Sequence, residues 1–384
     1  MKILSIETSC DDTCVAVIEI SGEKNPRFRV MSNIISSQVE IHKKWGGVYP
    51  TMAKREHQKN LVSVLTEALI KAKLLKKAKN NIEKRKIRAI KRMLEREESL
   101  YERLIKFLNL YEKPEIDVLA VTVGPGLEPC LWSGINLAKA LSFWWNLPII
   151  TVNHIEAHVF SNWIEIFNKR KKVKFPAVCL VASGGHTLLF LMKKVGSYKI
   201  LGETRDDAAG ECFDKVARIL GLGYPGGPII EGKADGKIKT SLPRPMINTK
   251  DYDFSFSGLK TAVLYNFKKQ SEDSKKSEKY IRAICKETQQ AIIDVLLNKT
   301  KRAAKYFGAK TIILGGGVIS NKELRKQFKK AFLKEKLDLL FPETKISTDN
   351  AVMVAIAAYF HRFKKKNWKE VLANANLNII DNEF

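Results

Sequence analysis

Ala177-Val-Cys-Leu-Val-Ala-Ser-Gly-Gly-His-Thr-Leu-Leu-Phe-Leu-Met192 reads as an apolar strand (Ala177 to Ala182), a polar glycine turn (Ser183 to Thr187) and an apolar return strand (Leu188 to Met192). Taken alone it is a hairpin, and a plain turn and a phosphate-binding turn both fit it. Its weight comes from a second copy. Lys2 to Ile6 is a short apolar strand, Glu7-Thr-Ser-Cys-Asp-Asp-Thr13 a turn of hydroxyls and acids, and Cys14 to Ile20 runs back. Two further units pair in the same way: strand Val118 to Val123 with the turn Gly124-Pro125-Gly126, and strand Thr311 to Leu314 with Gly315-Gly316-Gly317. Each leads into a helical pattern, from about Ser133 to Trp144 and from Asn321 to Leu333. The copies lie roughly 175–195 residues apart, and self-similarity at a near-constant offset marks a duplicated architecture. The expected fold is α/β, two similar lobes with a cleft between them.

Length and composition agree. A chain of 384 residues, 45% hydrophobic, can bury a large core and is long enough for two domains or one two-lobed unit. No basic-then-apolar signal follows Met1, and the most apolar stretch, Leu141 to Val152, is short and broken by Asn146 and Pro148, so the chain reads as cytoplasmic, with no membrane partner. The six cysteines (10, 14, 130, 179, 212 and 285) show no Cys-x-x-Cys pair, which fits scattered reduced thiols. A formal charge of +26 favours a polyanionic partner.

His154-Ile155-Glu156-Ala157-His158 holds two of only six histidines. Residues four apart share a helix face, so both imidazoles can converge on one ion. Two helix-face histidines, one packed and one solvated, fit the spacing equally well. A zinc protease sets its general base directly after the first histidine, but that position is Ile155, and Glu156 lies roughly 200° around the helix from His154. The repeat indicates a third ligand. His154 follows the strand Pro148 to Val152 about thirty residues after one glycine turn, and Asp349 follows Leu339 to Ser347 at a similar distance after the other. Two imidazoles and one carboxylate with open positions suit iron or zinc. Asp349 is also placed to cap the helix Ala351 to Phe363. Glycines at a strand-to-helix turn let backbone N–H groups approach a phosphate, so 315–317 are expected at a nucleotide, with tight packing as the other reading. Gly124-Pro125-Gly126 is expected to be a structural turn.

These residues together resemble the TsaD family, the transferase subunit that makes threonylcarbamoyladenosine in tRNA, with the actin/hexokinase (ASKHA) fold. The resemblance runs through Ile6 to Asp11, the His154/His158 pair, Ser183 to Thr187, Asp207 to Lys215, Tyr224 to Pro228, Phe254 to Thr261, Gly315 to Asn321 and Thr348 to Asn350, nearly the whole chain. It implies metal ligands at His154, His158 and Asp349, with Fe(2+) expected and Zn(2+) the alternative. It also implies nucleotide contacts at Val181, Ala182, Ser183, Gly184, Gly185, Asp214, Gly227 and Asn321, with Glu231 at a position used by archaeal and eukaryotic relatives. The implied lobes are 1–158 with 350–384, and 159–349. The implied reaction moves a threonylcarbamoyl group from threonylcarbamoyl-AMP to N6 of the adenosine beside the anticodon, in tRNAs reading codons that begin with adenosine. A TsaB-like paralogue and a TsaE-like ATPase are the implied partners. Asp11 steers or deprotonates the amine, or caps its turn. Ser183 has no triad order around it, and His186 supports the turn.

Two other classes share the fold. A small-molecule kinase would not need His154 and His158, and a non-catalytic scaffold would lack them. Lys71 to Lys113 departs from the family, with fifteen Lys/Arg against six Asp/Glu. Apolar residues recur there at helical spacing, so it reads as one long or hairpinned basic helix, either a solvated excursion, a tRNA-binding arm or a leucine face that docks a partner. Lys268 to Lys279 is expected to be a surface loop. Gly126-Leu-Glu-Pro-Cys-Leu also departs from the more apolar family version of that turn.

Overall fold

The computed structural model describes residues 1–22, 26–78, 83–169, 172–235 and 241–381. They form two compact units, one of residues 1–38, 48–172 and 349–384, the other of residues 39–47 and 173–348. The units part at 172/173 and 348/349, so residues 159–172 and Asp349 group with the first unit, where the sequence placed them with the second lobe. Aromatic packing explains this: Phe167 stacks on Phe28 with ring centroids 5.3 Å apart, and Phe160 on Phe360 at 4.4 Å.

The first unit is built on β1 (Lys2–Glu7), β2 (Asp12–Ser21), β3 (Arg27–Ser37), β4 (Val118–Gly124) and β5 (Ile149–Asn153), in the order β3-β2-β1-β4-β5. The second uses β6 (Ala177–Ala182), β7 (Thr187–Lys194), β8 (Ser197–Glu203), β9 (Thr311–Gly315) and β10 (Asp338–Leu340), in the order β10-β9-β6-β7-β8. Matched strand for strand these are one topology used twice. In each, the first three strands are antiparallel and the last two add in parallel on the other side of the first. Strand β4 is buried along its whole length and β1 along all but its first residue, which is why they read as unbroken apolar runs.

In the first unit, helices Pro50–Lys71 and Glu128–Trp145 pack with the sheet and each other. The second begins five residues before the expected start, because Pro129 is tolerated in a first turn where no N–H is needed. Helix Ala351–Phe360 lies on β1, β2, β4 and β5. It is apolar all round and buried, as such a helix must be, and it ends at Phe360 instead of running to Phe363. In the second unit, Glu278–Tyr306 is the long helix behind the sheet. The expected loop after Lys268 holds a short helix, Glu272–Lys276, because Ser271 caps it through Ser274 N–H.

The basic stretch is a hairpin of two helices, Lys84–Met93 and Glu98–Leu110, with an isolated bridge between Lys77 and Tyr111 at its base; residues 79–82 lie outside the described residues. Its apolar face is not available to a partner. Ile90, Leu94, Leu100, Leu104, Phe107 and Leu108 belong to the first unit's own core. Leu104→Ala should therefore cost about 2–5 kcal/mol, the range for a fully buried leucine, read as a shifted urea midpoint at unchanged slope. A cost under about 0.5 kcal/mol would show the hairpin to be an appendage.

Candidate functional site

Strand β5 ends at Asn153, whose side-chain oxygen accepts the N–H of Ile155 (2.9 Å) and Glu156 (3.2 Å) and caps helix His154–Phe160. His154 is thus the first helical residue, and His158 stands one turn on along the same face, with ring centroids 4.6 Å apart. Glu156 points elsewhere, to His361 Nε2 at 2.7 Å, so it takes no part in a protease arrangement. The cap of helix Ala351–Phe360 is Asn350, accepting Met353 N–H at 3.1 Å, and not Asp349. The Asp349 carboxylate is instead held at the histidines, with Oδ1 3.2 Å from His158 Nε2 and 3.7 Å from His154 Nε2.

The three ligand atoms lie within 4.8 Å of one another. Two bonds of about 2.1 Å at a tetrahedral angle place their donors about 3.4 Å apart, close to the carboxylate–imidazole distances here. His158 is fully buried, and neither ring nitrogen has a hydrogen-bond partner of good geometry among the described residues. A buried imidazole left so is costly unless something else meets it. The residues fit one bound metal ion.

Glu7, which the sequence placed only in a turn, orients the first histidine. It is 1% exposed; its Oε1 accepts Ser9 N–H at 2.6 Å, and its Oε2 accepts the Thr122 hydroxyl at 2.6 Å and approaches His154 Nδ1 at 3.2 Å. Ser9 Oγ is 3.1 Å from the same nitrogen. A carboxylate on Nδ1 leaves Nε2 as the ligand atom and makes it more basic. Burial by itself raises the Glu7 pKa, but the charge and hydrogen bond of His154 outweigh it and hold it below the ordinary value. Burial also lowers His154, and Glu7 and Asp349 reverse this and push it up to about 9. His158 is held down, chiefly by burial. Two acids therefore favour a positive charge beside a neutral imidazole, the conditions for a cation.

The turn between β1 and β2 is pinned by His57. It is fully buried, with Nδ1 2.7 Å from the Thr13 hydroxyl and Nε2 3.0 Å from the Cys10 carbonyl, so Nε2–H donates and Nδ1 accepts. Asp11, the expected catalytic residue, lies in this turn, where its carbonyl accepts Gln38 N–H at 3.3 Å. Its neighbour Asp12 keeps Oδ1 buried without a hydrogen-bond partner. Burial and the adjacent Asp11 push the Asp12 pKa up to about 7. Glu7, Asp12 and His57 escaped the sequence reading; for the two acids, a polar run closing an apolar strand was the available signal.

The expected nucleotide residues all lie in the second unit, at element ends except for Asp214, which is in mid-helix. Val181 and Ala182 finish β6, and Ser183 to Gly185 form the turn, closed by Ser183 N–H to His186 carbonyl at 2.8 Å. A side chain added at Gly184, Gly185 or Gly227 would meet only open space. Gly210 donates to the Ser183 carbonyl at 3.1 Å, Asp214 Oδ1 accepts Gly226 N–H at 2.7 Å, and Glu231 Oε1 accepts Lys322 N–H at 2.6 Å. Hydrogen bonds thus join the turn to helices Ala209–Ile219 and Gly226–Lys233 and to the start of Lys322–Phe332. Asn321 caps that last helix through Leu324 N–H at 2.9 Å and donates one Nδ2 hydrogen to Gln289 at 2.7 Å, which fixes the orientation of its amide. Gly316 has a packing reason: φ is +94°, and a Cβ there would lie 2.3 Å from the Ala182 carbonyl. Gly124 is likewise a structural turn, its Cβ position 1.8 Å from the Asn374 carbonyl.

Comparison with known proteins bears on this geometry. Residues 29–83 and 87–356 match the family model described as TsaD, tRNA N6-adenosine threonylcarbamoyltransferase. A protein of that name from Persephonella marina is 42% identical over 95% of this chain and 91% of its own. One from Clostridium kluyveri is 40% identical over 100% and 97%. Among solved structures, full-length HypF aligns with a TM-score of 0.51 and 12% identity, over 96% of this chain and 56% of that one, and shares the fold alone.

The site generates one prediction with two arms. His158→Ala should abolish stoichiometric metal in anaerobically purified protein while leaving the far-UV spectrum and melting transition in place; Glu7→Gln should weaken metal binding by about 10–100-fold. Metal content is read by plasma mass spectrometry and affinity by chelator competition. Full metal in His158→Ala would exclude it as a ligand.

Proposed function

The chain belongs to the TsaD family of tRNA N6-adenosine threonylcarbamoyltransferases, and from that premise we propose how its residues divide the work. It is a transferase that modifies N6 of adenosine in tRNA; the donor we propose is threonylcarbamoyl-AMP, a mixed anhydride. The N6 amine attacks the carbamoyl carbon, a C–N bond forms, the C–O bond to phosphate breaks, AMP leaves and one N–H proton passes to a base. The proposed acceptor is the adenosine beside the anticodon.

The convergence of His154, His158 and Asp349 carries this reading. Two imidazoles and a carboxylate with open positions match the donor set of non-haem iron sites, so Fe(2+) is the proposed ion and Zn(2+) the alternative. When bound, it supplies Lewis acidity toward a carbamoyl or carboxylate oxygen. Glu7 keeps His154 Nε2 available for it. Gly184 and Gly185 offer backbone where no side chain stands in the way, beside the Ser183 hydroxyl, and Asp214, with Gly227 and Glu231, is proposed to hold the ribose and phosphate. Asp11 orients the incoming amine. Asp12, deprotonated above about pH 7, is suited to receive the proton. A small-molecule kinase or a scaffold gives no reason for the histidine pair, and the family match sets both aside. A TsaB-like paralogue and a TsaE-like ATPase are the partners proposed from the family. No described helix is long and apolar enough to cross a membrane, and a cytoplasmic location is proposed with the tRNA substrate.

Reconstitution with metal-loaded protein, partners, a tRNA transcript and threonylcarbamoyl-AMP tests the reading, with modified nucleoside quantified by mass spectrometry. No product would overturn it. Because the raised Asp12 carboxyl is protonated below about 7, single-turnover rates should climb through that pH, and Asp12→Asn should remove the limb. A variant that retains it would assign the proton to another group. For the nucleotide side, Asp214→Ala should weaken adenylate binding by roughly 1–3 kcal/mol, the cost of unpaired hydroxyls. Calorimetry showing unchanged affinity would leave Asp214 a structural role, its bond to Gly226 included.

A further inference from the structure

Helix Lys84–Met93 divides its residues unusually sharply between two faces. At 100° per residue, Lys84, Arg85, Arg88, Lys91 and Arg92 fall within an arc of about 120°, and all five are exposed. The other side carries Ile90, fully buried, and the partly buried Met93, both packed in the first unit's core. Lys86, beside them, lies over the Trp144 ring at 5.6 Å and pairs with Glu83 at 3.7 Å, the one ion pair on this helix among the described residues. The cationic arc is therefore held in place by the core beneath it and is not neutralised by acids around it.

We propose that this arc is a docking surface for the phosphate backbone of the tRNA substrate, outside the site that does the chemistry. The proposal rests on the family reading for the identity of the nucleic acid; the surface itself rests on geometry. From Lys84 to Arg92 the helix rises about 12 Å, so its five charges are spaced about 3 Å apart along the axis, near the spacing of about 3.4 Å between phosphate charges along one strand of a duplex and of opposite sign. Side chains on one exposed helical face meet phosphates along a groove edge, and phosphate contacts position without reading sequence. The family match is interrupted at residues 84–86, in the first turn of this helix. The chain's charge of +26 adds long-range attraction.

Deleting the hairpin is the wrong test, since it removes Leu100, Leu104 and Leu108 from the core. The informative variant is Arg85→Gln, Arg88→Gln, Lys91→Gln and Arg92→Gln together, four exposed changes that leave the packed face alone. Filter binding of an unmodified tRNA transcript across a salt series should show affinity at least about tenfold weaker at 0.15 M salt, and a log–log salt slope shallower by about 3 to 4, close to one unit for each of the four cations removed. A control with Lys330→Gln, Lys334→Gln, Lys336→Gln and Lys365→Gln removes the same charge elsewhere and should leave the slope in place. An unchanged slope in the first variant overturns the proposal, and so does an equal loss in the control, which would mean net charge alone acts. If the first variant instead loses only sedimentation with phosphatidylserine vesicles, the arc serves a membrane surface and the tRNA proposal fails. Failure of wild-type protein to modify tRNA would reject the family reading, whereas wild-type modification with an unmoved slope rejects the arc alone.

Discussion

A carboxylate with 1% exposure must be answered from every side, and Glu7 is the group around which the first unit's chemistry is arranged. Its partners come from three strands or strand ends: Ser9 just past β1, Thr122 in β4, and His154 just past β5. Because β1, β4 and β5 run parallel, their carboxyl ends lie on one edge of the sheet, where α/β proteins place ligands. One buried acid thus locks the register of that edge to the orientation of an imidazole. Desolvation and attraction oppose each other at Glu7, and the lowered pKa shows that attraction to His154 prevails.

Asp349 reaches the same edge by another route. The helix that follows it is apolar all round, and burying it on the sheet brings its N-terminus to the histidines. Asn350 satisfies that end, which leaves the preceding carboxylate for His158 and His154. The proposed metal site is thus a consequence of where two helices begin, each capped by an asparagine, Asn153 or Asn350, beside a proposed ligand.

The second unit repeats the topology but not this chemistry. At the end of β6, where β1 leads to an acid-rich turn, the chain has Ser183, Gly184 and Gly185. Carboxylates there, at Asp214 and Glu231, bind backbone N–H groups that start the next element, which stiffens a rim. The same scaffold therefore carries a convergent His/His/Asp cluster in one copy and an open backbone turn in the other, as expected when function resides in residues grafted on a fold.

The sequence by itself determined the duplicated α/β architecture, because buried parallel strands must be continuously apolar and their turns must be polar or glycine-rich. It also determined which residues converge, since i and i+4 spacing and the repeat offset bring together His154, His158 and Asp349 without coordinates. Local turn chemistry made Gly124 legible as a structural turn. Only the tertiary structure decided that Glu7 orients His154, that Asn350 and not Asp349 caps its helix, and that Gly316 is required by the Ala182 carbonyl. It alone showed that the leucines of the basic hairpin lie in the unit's own core. The physical reason is common to these cases. Periodicity reports which face of an element is apolar, but the partner that a buried polar group finds, or the core that an apolar face fills, depends on residues more than a hundred positions away in sequence or on a neighbouring element whose placement no local pattern encodes.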